Sequence, residues 1–133
     1  MSKPRDPWWP YIKNVLRAYP AMKRELEARQ QASVTVHYNA AGGSSGPSRT
    51  TENTALRELD PARQREYEAV RKAIRKTGYL PDGKTRNDII RLVYFRKRYN
   101  LYGAAWACHV SEATARRWHG DFIRLVADYL GLR

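Results

Sequence analysis

Ser111, Glu112, Ala113, Thr114, Arg116 and Arg117 form the stretch whose residue types and spacing can do chemistry together. That chemistry is hydrogen bonding to a nucleic acid. A serine ahead of a helical run is a natural N-cap, its hydroxyl accepting from an amide of the following turn. Read as a helix at about 100° per residue, the chain from Ser111 separates into faces. Ala115, Trp118, Phe122, Leu125, Val126 and Tyr129 fall on one side, the expected core face. Glu112, Ala113, Arg116, Gly120 and Arg124 fall on the opposite side, with Arg117 and His119 on the flanks. A helix that buries one face and shows small residues and arginines on the other suits a major groove. A guanidinium can donate two bonds to guanine O6 and N7, and Glu112 can accept from cytosine N4.

Other chemistries have less to work with. His37, His109 and His119 are scattered, and Cys108-His109 lacks the further ligands of a zinc site. The GGSSG run is not followed by Lys-Ser/Thr, so it is no phosphate-binding P-loop. Glu66 and Glu68 lie in a basic segment without metal-site partners. No catalytic role, metal or cofactor is expected.

Stepping outward, Leu101–Gly120 (LYGAAWACHVSEATARRWHG) has the punctuation of a helix-turn-helix. Ala104 and Ala105 suit a short first helix that a second can cross at close range. Cys108 and Val110 are apolar residues on either side of a tight turn. Before this unit, Thr85-Arg86-Asn87-Asp88 resembles a capping box and predicts a helix to about Arg98. Ile89, Ile90, Leu92, Val93 and Phe95 make that helix the expected centre of the core. Arg96, Lys97 and Arg98 at its end can reach phosphate oxygens, or simply suit a helix C-terminus. Asp60-Pro61 predicts a helix to about Thr77, with Gly78 as its stop and Tyr67, Val70 and Ile74 inside. Pro81-Asp82-Gly83 reads as a turn, and Glu52–Leu59 as a short helix.

Towards the N-terminus, Trp8, Ile12, Val15, Tyr19, Met22 and Leu26 recur at helical spacing. Pro20 inside that stripe predicts two helical pieces or a kink. This segment is expected to dock on the C-terminal domain, pair with a second copy or touch a partner. Trp8 and Trp9 would be the anchors in the latter two cases. Ser33–Tyr38 alternates weakly, as a short strand would, and Ala40–Arg49 (AAGGSSGPSR) is flexible by composition. The expected fold is all-α: an N-terminal helical extension over 1–39, a linker over 40–50 and a helix-turn-helix domain over 51–133.

Charge narrows the partner. Lys and Arg number 25 against 13 acidic residues, a formal charge of +12 and a pI near 10.2, which points to a polyanion. The net charge is +4 over residues 1–48, +7 over 49–103 and +1 over 104–133. The presumed reading helix is therefore not the most basic part; the middle segment would attract phosphates and the helix discriminate. No apolar run approaches the ~20 residues of a spanning helix, and the N-terminus has no apolar signal-peptide core. Cytoplasmic residence without membrane contact is expected. The single Cys108 excludes an internal disulfide.

The stretch IIRLVYFRKRYNLYGAAWACHVSEATARRWHGDFIRLVADYLGL resembles small phage transcription activators of the RinA type. These share a helix-turn-helix with the promoter-reading region 4 of sigma factors. YIKNVLRAYPAMKREL is similar to their opening helix, so the resemblance covers most of the chain except the Gly/Ser linker. Its most specific part is SEATARRWH with the following Phe122. The resemblance implies activation of phage late genes. It places Ser111, Glu112, Thr114, Arg116 and Arg117 where recognition-helix contacts are made, and Ala115 at the buried position. His109 departs from the pattern, which most often has glycine in the turn.

His119, Ile123, Val126 and Leu130 share a sector beside the presumed DNA face. That sector is expected either to meet RNA polymerase or a second copy, or to pack under the N-terminal helices. The expected function is sequence-specific binding of double-stranded promoter DNA with recruitment of bacterial RNA polymerase. The alternative is a small terminase subunit, which also combines a helix-turn-helix with oligomerising helices.

Overall fold

A computed structural model describes residues 6–41 and 59–133. Every regular element among the described residues is helical, so the fold is all-α. The first helix, α1 (Trp9–Ala41), buries Trp9, Ile12, Val15, Leu16, Tyr19, Met22 and Leu26 along one stripe. It runs through Pro20 as one helix, so of the two expectations there the division into two pieces does not occur. An interior proline costs about 3 kcal/mol. Burying Met22 and Leu26 beyond it contributes about 1.5–3 kcal/mol each, enough to hold the helix together. The same helix continues over Ser33–Tyr38, where the alternation suggested a strand. A lone strand would leave its amides and carbonyls unpaired, whereas a helix pairs them internally. Of Ala40–Arg49 only the two alanines are described, as helix. The rest of that linker, and Glu52–Leu59 except for Leu59, lie outside the described residues.

The second helix, α2 (Pro61–Gly78), starts where the Asp60-Pro61 pair predicts, with Pro61 at its first position. The Ala62 amide donates weakly to the Asp60 carboxylate at 3.4 Å. Tyr67, Ala69, Val70, Ala73 and Thr77 face inward. Two side-chain contacts tie α1 to α2: the Tyr11 hydroxyl donates to Glu66 at 2.7 Å, and Arg63 pairs with Glu25 at 3.2 Å.

The third helix, α3 (Gly83–Ile90), begins two residues before the predicted capping box. Asp82 takes the N-cap place in a left-handed conformation (φ 58°), and no side chain caps the helix. Tertiary contact overrides the local signal. A Cβ on Gly83 would lie 2.5 Å from the Thr77 carbonyl oxygen, so the start of α3 is wedged against the end of α2 at a distance only glycine allows. Buried Asn87 reinforces the join by donating to the Ile74 carbonyl at 3.1 Å. From Arg91 to Phe95 the helix widens to a π-helical turn and stops, short of the predicted Arg98. Ile89, Ile90 and Tyr94 are buried there.

The last two helices are α4 (Leu101–Ala107) and α5 (Glu112–Tyr129). Asn100 caps α4, its side chain accepting from the Gly103 amide at 2.8 Å. The turn between them closes with a Schellman motif: His109 donates to the Trp106 carbonyl (3.2 Å) and Val110 to that of Ala105 (3.0 Å). His109 occupies the left-handed position, with φ 60°.

Two apolar clusters result. The larger joins α1, α2 and the distal half of α5 through Ile12, Leu16, Tyr67, Val70, Phe122, Ile123 and Val126, with Tyr94 of the π turn. The smaller is the helix-turn-helix itself: Ile89, Ala104, Ala105, Ala115 and Trp118, flanked by Cys108 and Val110. Burial pushes the Cys108 thiol up, with Asp88 adding to it, which suits packing rather than reactivity. Of the three roles expected for the N-terminal segment, docking is the one present: α1 supplies a large share of the main core.

Candidate nucleic-acid interface

Ser111 caps α5 as its position predicts. The Thr114 amide donates to Ser111 Oγ at 3.1 Å, and the Ser111 hydroxyl donates to Thr114 Oγ1 at 2.8 Å. Both hydroxyls are thus used first to fix the helix start. Beyond them, Ala113, Arg116 and Arg117 are exposed, and small Ala113 permits close approach. Arg116 lies along the helix and pairs with Glu112 at 2.5 Å, its side chain still 70 % exposed. Arg117 has no ion-pair partner among the described residues. The exposed band of α5 changes character at Asp121, which pairs with Arg124 (3.5 Å) and Arg86 (3.8 Å). The arginine-rich, sterically open part is the first two turns.

Arg96, Lys97 and Arg98 are all exposed where the chain leaves the π turn, and Lys97 is held at φ 51°. The structure brings Lys97 and Arg98 to the same place as Glu112 and Arg116. All four line an open groove of about 1250 Å³ between α1 and α5. Arg96, Ser111, Ala113, Thr114 and Arg117 are not among its lining residues. Lys13 and Arg17 of α1, which the sequence reading did not single out, line it too. A signal existed: four apart on α1, they border its apolar stripe, as Arg124 borders that of α5.

Buried Trp9, Tyr94 and His119 form the base of the groove. Tyr94 Oη and His119 Nε2 are 2.5 Å apart in a hydrogen bond, and the Trp9 ring meets His119 edge-on at 6.2 Å. Two guanidiniums lie over these aromatics: Arg17 over Tyr94 (5.9 Å) and Arg124 over Trp9 (5.6 Å).

Several expectations are corrected here. Trp9, His119 and Ile123, expected at partner contacts, are 7 %, 9 % and 0 % exposed and belong to the interior; Trp8 and Leu130 are half-buried against the same core. The reason is α1, which covers that sector of α5: of the two expectations for it, packing under the N-terminal helix is the one observed. Gly120, placed on the outer face, is also buried, and a Cβ there would come 3.1 Å from Arg124 Nη1. Tyr129, placed in the core, is 43 % exposed at the end of α5. The sequence reading also passed over Tyr102 and Trp106, four apart on α4 and 65 % and 77 % exposed.

Among the described residues no cluster of His, Cys, Asp and Glu could hold a metal ion, and no helix is long and apolar enough to cross a membrane. Comparison with protein-family models, curated proteins and solved structures finds no match to this chain.

Proposed function

We propose that this chain is a sequence-specific DNA-binding transcription activator that reads duplex promoter DNA with the first two turns of α5. The observation that carries the proposal is the exposure of Arg116 and Arg117 on a helix whose other side is anchored by Ala115, Trp118 and Phe122. The helix-turn-helix around it is closed by two small buried alanines and a capped turn. The resemblance of SEATARRWH to phage late-gene activators supports the activator part, and recruitment of bacterial RNA polymerase is proposed with it. The polymerase contact must use a surface other than His119, Ile123 and Leu130, because the core occupies them.

In the proposed complex Arg117 donates to a guanine edge directly. Arg116 can do so with the guanidinium donors that Glu112 leaves over, and each bidentate contact is worth roughly 1–3 kcal/mol of discrimination. Lys97 and Arg98 neutralise phosphates, which adds affinity without sequence information. Selection of binding sites from random duplexes, followed by affinity measurements on the selected site and on an unrelated duplex, tests this. Arg116→Ala or Arg117→Ala should narrow the gap between the two duplexes by about 1–3 kcal/mol. Lys97→Ala should weaken both alike. Equal loss on every duplex in all three variants would remove the proposal.

A further inference from the structure

Lys13 and Arg17 belong to a helix with no assigned part in recognition, yet they line the same groove as Arg116 and Arg124. With Lys97 and Arg98, six cationic side chains line it, against the carboxylates of Asp6 and Glu112. Glu112 and Arg116 match each other, which leaves five cations against Asp6, of which Arg124 also pairs with Asp121 at 3.5 Å. Such a lining does not suit a small apolar ligand, whose pockets are mostly hydrophobic. Nor does it suit one isolated anion, because the positive charge is drawn out along the walls. Arg116 to Arg124 covers about 12 Å of helix at 1.5 Å per residue. A lining drawn out over that length meets more than one phosphate of a strand. Arg17 is prepared for such a ligand. Of its guanidinium donors one is taken, by Asn14 Oδ1 at 3.0 Å, and the group lies over the Tyr94 ring with no carboxylate partner among the described residues.

We infer that the groove between α1 and α5 seats one phosphodiester strand, held by Lys13 and Arg17 of α1 together with Lys97, Arg98 and Arg124. The inference rests on the reading of α5 as a DNA-recognition helix only for the source of the strand: the backbone bordering the major groove, or a free single strand. On this view α1 is the second half of the binding surface.

The test uses the full chain and three labelled oligonucleotides: the selected duplex, an unrelated duplex of equal length, and one strand of the selected duplex. Affinities are measured between 50 and 200 mM salt. The Lys13→Gln/Arg17→Gln variant should lower the log–log salt slope by about 1.8. It should weaken both duplexes about tenfold or more without changing their ratio. Lys23→Gln/Arg24→Gln removes the same charge from exposed positions of α1 outside the groove, and should have a much smaller effect. Lys13→Arg/Arg17→Lys should restore the slope, which separates lost charge from lost packing on Tyr94. If the groove variant behaves like the Lys23/Arg24 variant, the inference is overturned. If the weakening appears on the single strand and the duplexes bind no better than it, the groove stands and the duplex reading of α5 falls. If the wild-type chain binds none of the three, both fall.

Discussion

Arg116 and Glu112 hold each other along α5, and this sets how the helix would read a base. The pair sits four residues apart in the favourable order, acid first, near a helix N-terminus that itself attracts the carboxylate. Exposed pairs of this kind stabilise by well under 1 kcal/mol, so the clasp orients Arg116 more than it strengthens the fold. His109 is the other residue whose individual state counts. Its left-handed backbone costs roughly 1–2 kcal/mol relative to glycine, partly offset because glycine also loosens the unfolded chain. His109→Gly should therefore raise stability by about 0.5–1 kcal/mol in chemical denaturation, with DNA affinity unchanged. A loss of stability would mean that the imidazole makes a contact beyond the turn. At this scale the sequence was legible in Ser111, whose cap is purely local. It misplaced Gly120 on the outer face and left His119 open, because the burial of both depends on what covers them.

Among the elements, α1 and α3 show where local signals stop being sufficient. The Thr85 capping box is genuine sequence chemistry, but α3 opens at Gly83 because its first turn abuts the carbonyls of Thr77 and Gly78. Gly83→Ala puts a methyl 2.5–2.8 Å from backbone atoms that cannot swing aside. It should cost about 1–3 kcal/mol, the range for an overfilled core, seen as a lower denaturation midpoint with an unchanged slope. A variant as stable as the parent would show that α2 and α3 can slide apart. The apolar stripe of α1 was readable from spacing alone. Its persistence through Pro20 was not, because that depends on how much Met22 and Leu26 bury beyond it. Nor could periodicity tell whether the His119/Ile123 sector of α5 waits for another molecule or for α1, since both would select the same residues.

For the molecule as a whole, the core joins the N-terminal helix to α5, and its ionisation behaviour should show it. Tyr19, on α1, stacks on Tyr67 of α2 with ring centres 5.3 Å apart. Its phenol is pushed up to about 12, chiefly by burial and further by Tyr67. The sign follows from proton counting. Between pH 10 and 12 the unfolded chain has released this proton and the folded chain has kept it, so stability is full below pH 10 and falls as pH rises towards 12. At pH 11 the loss attributable to this group is about 1.4 kcal/mol. Unfolding measured at pH 9 and pH 11 should show that excess loss in the wild type and not in Tyr19→Phe; equal losses would contradict it.

Joining the two ends of the chain through one interior also limits what can be taken from this protein. Excised after α2, the segment from Gly83 to Arg133 would keep its capped turn and its arginines, but Phe122, Ile123 and Val126 would meet water instead of α1 and α2. The helix-turn-helix is thus not a portable cassette. A chimaera that borrowed it would have to bring along the first helix, or rebuild the buttress that helix provides.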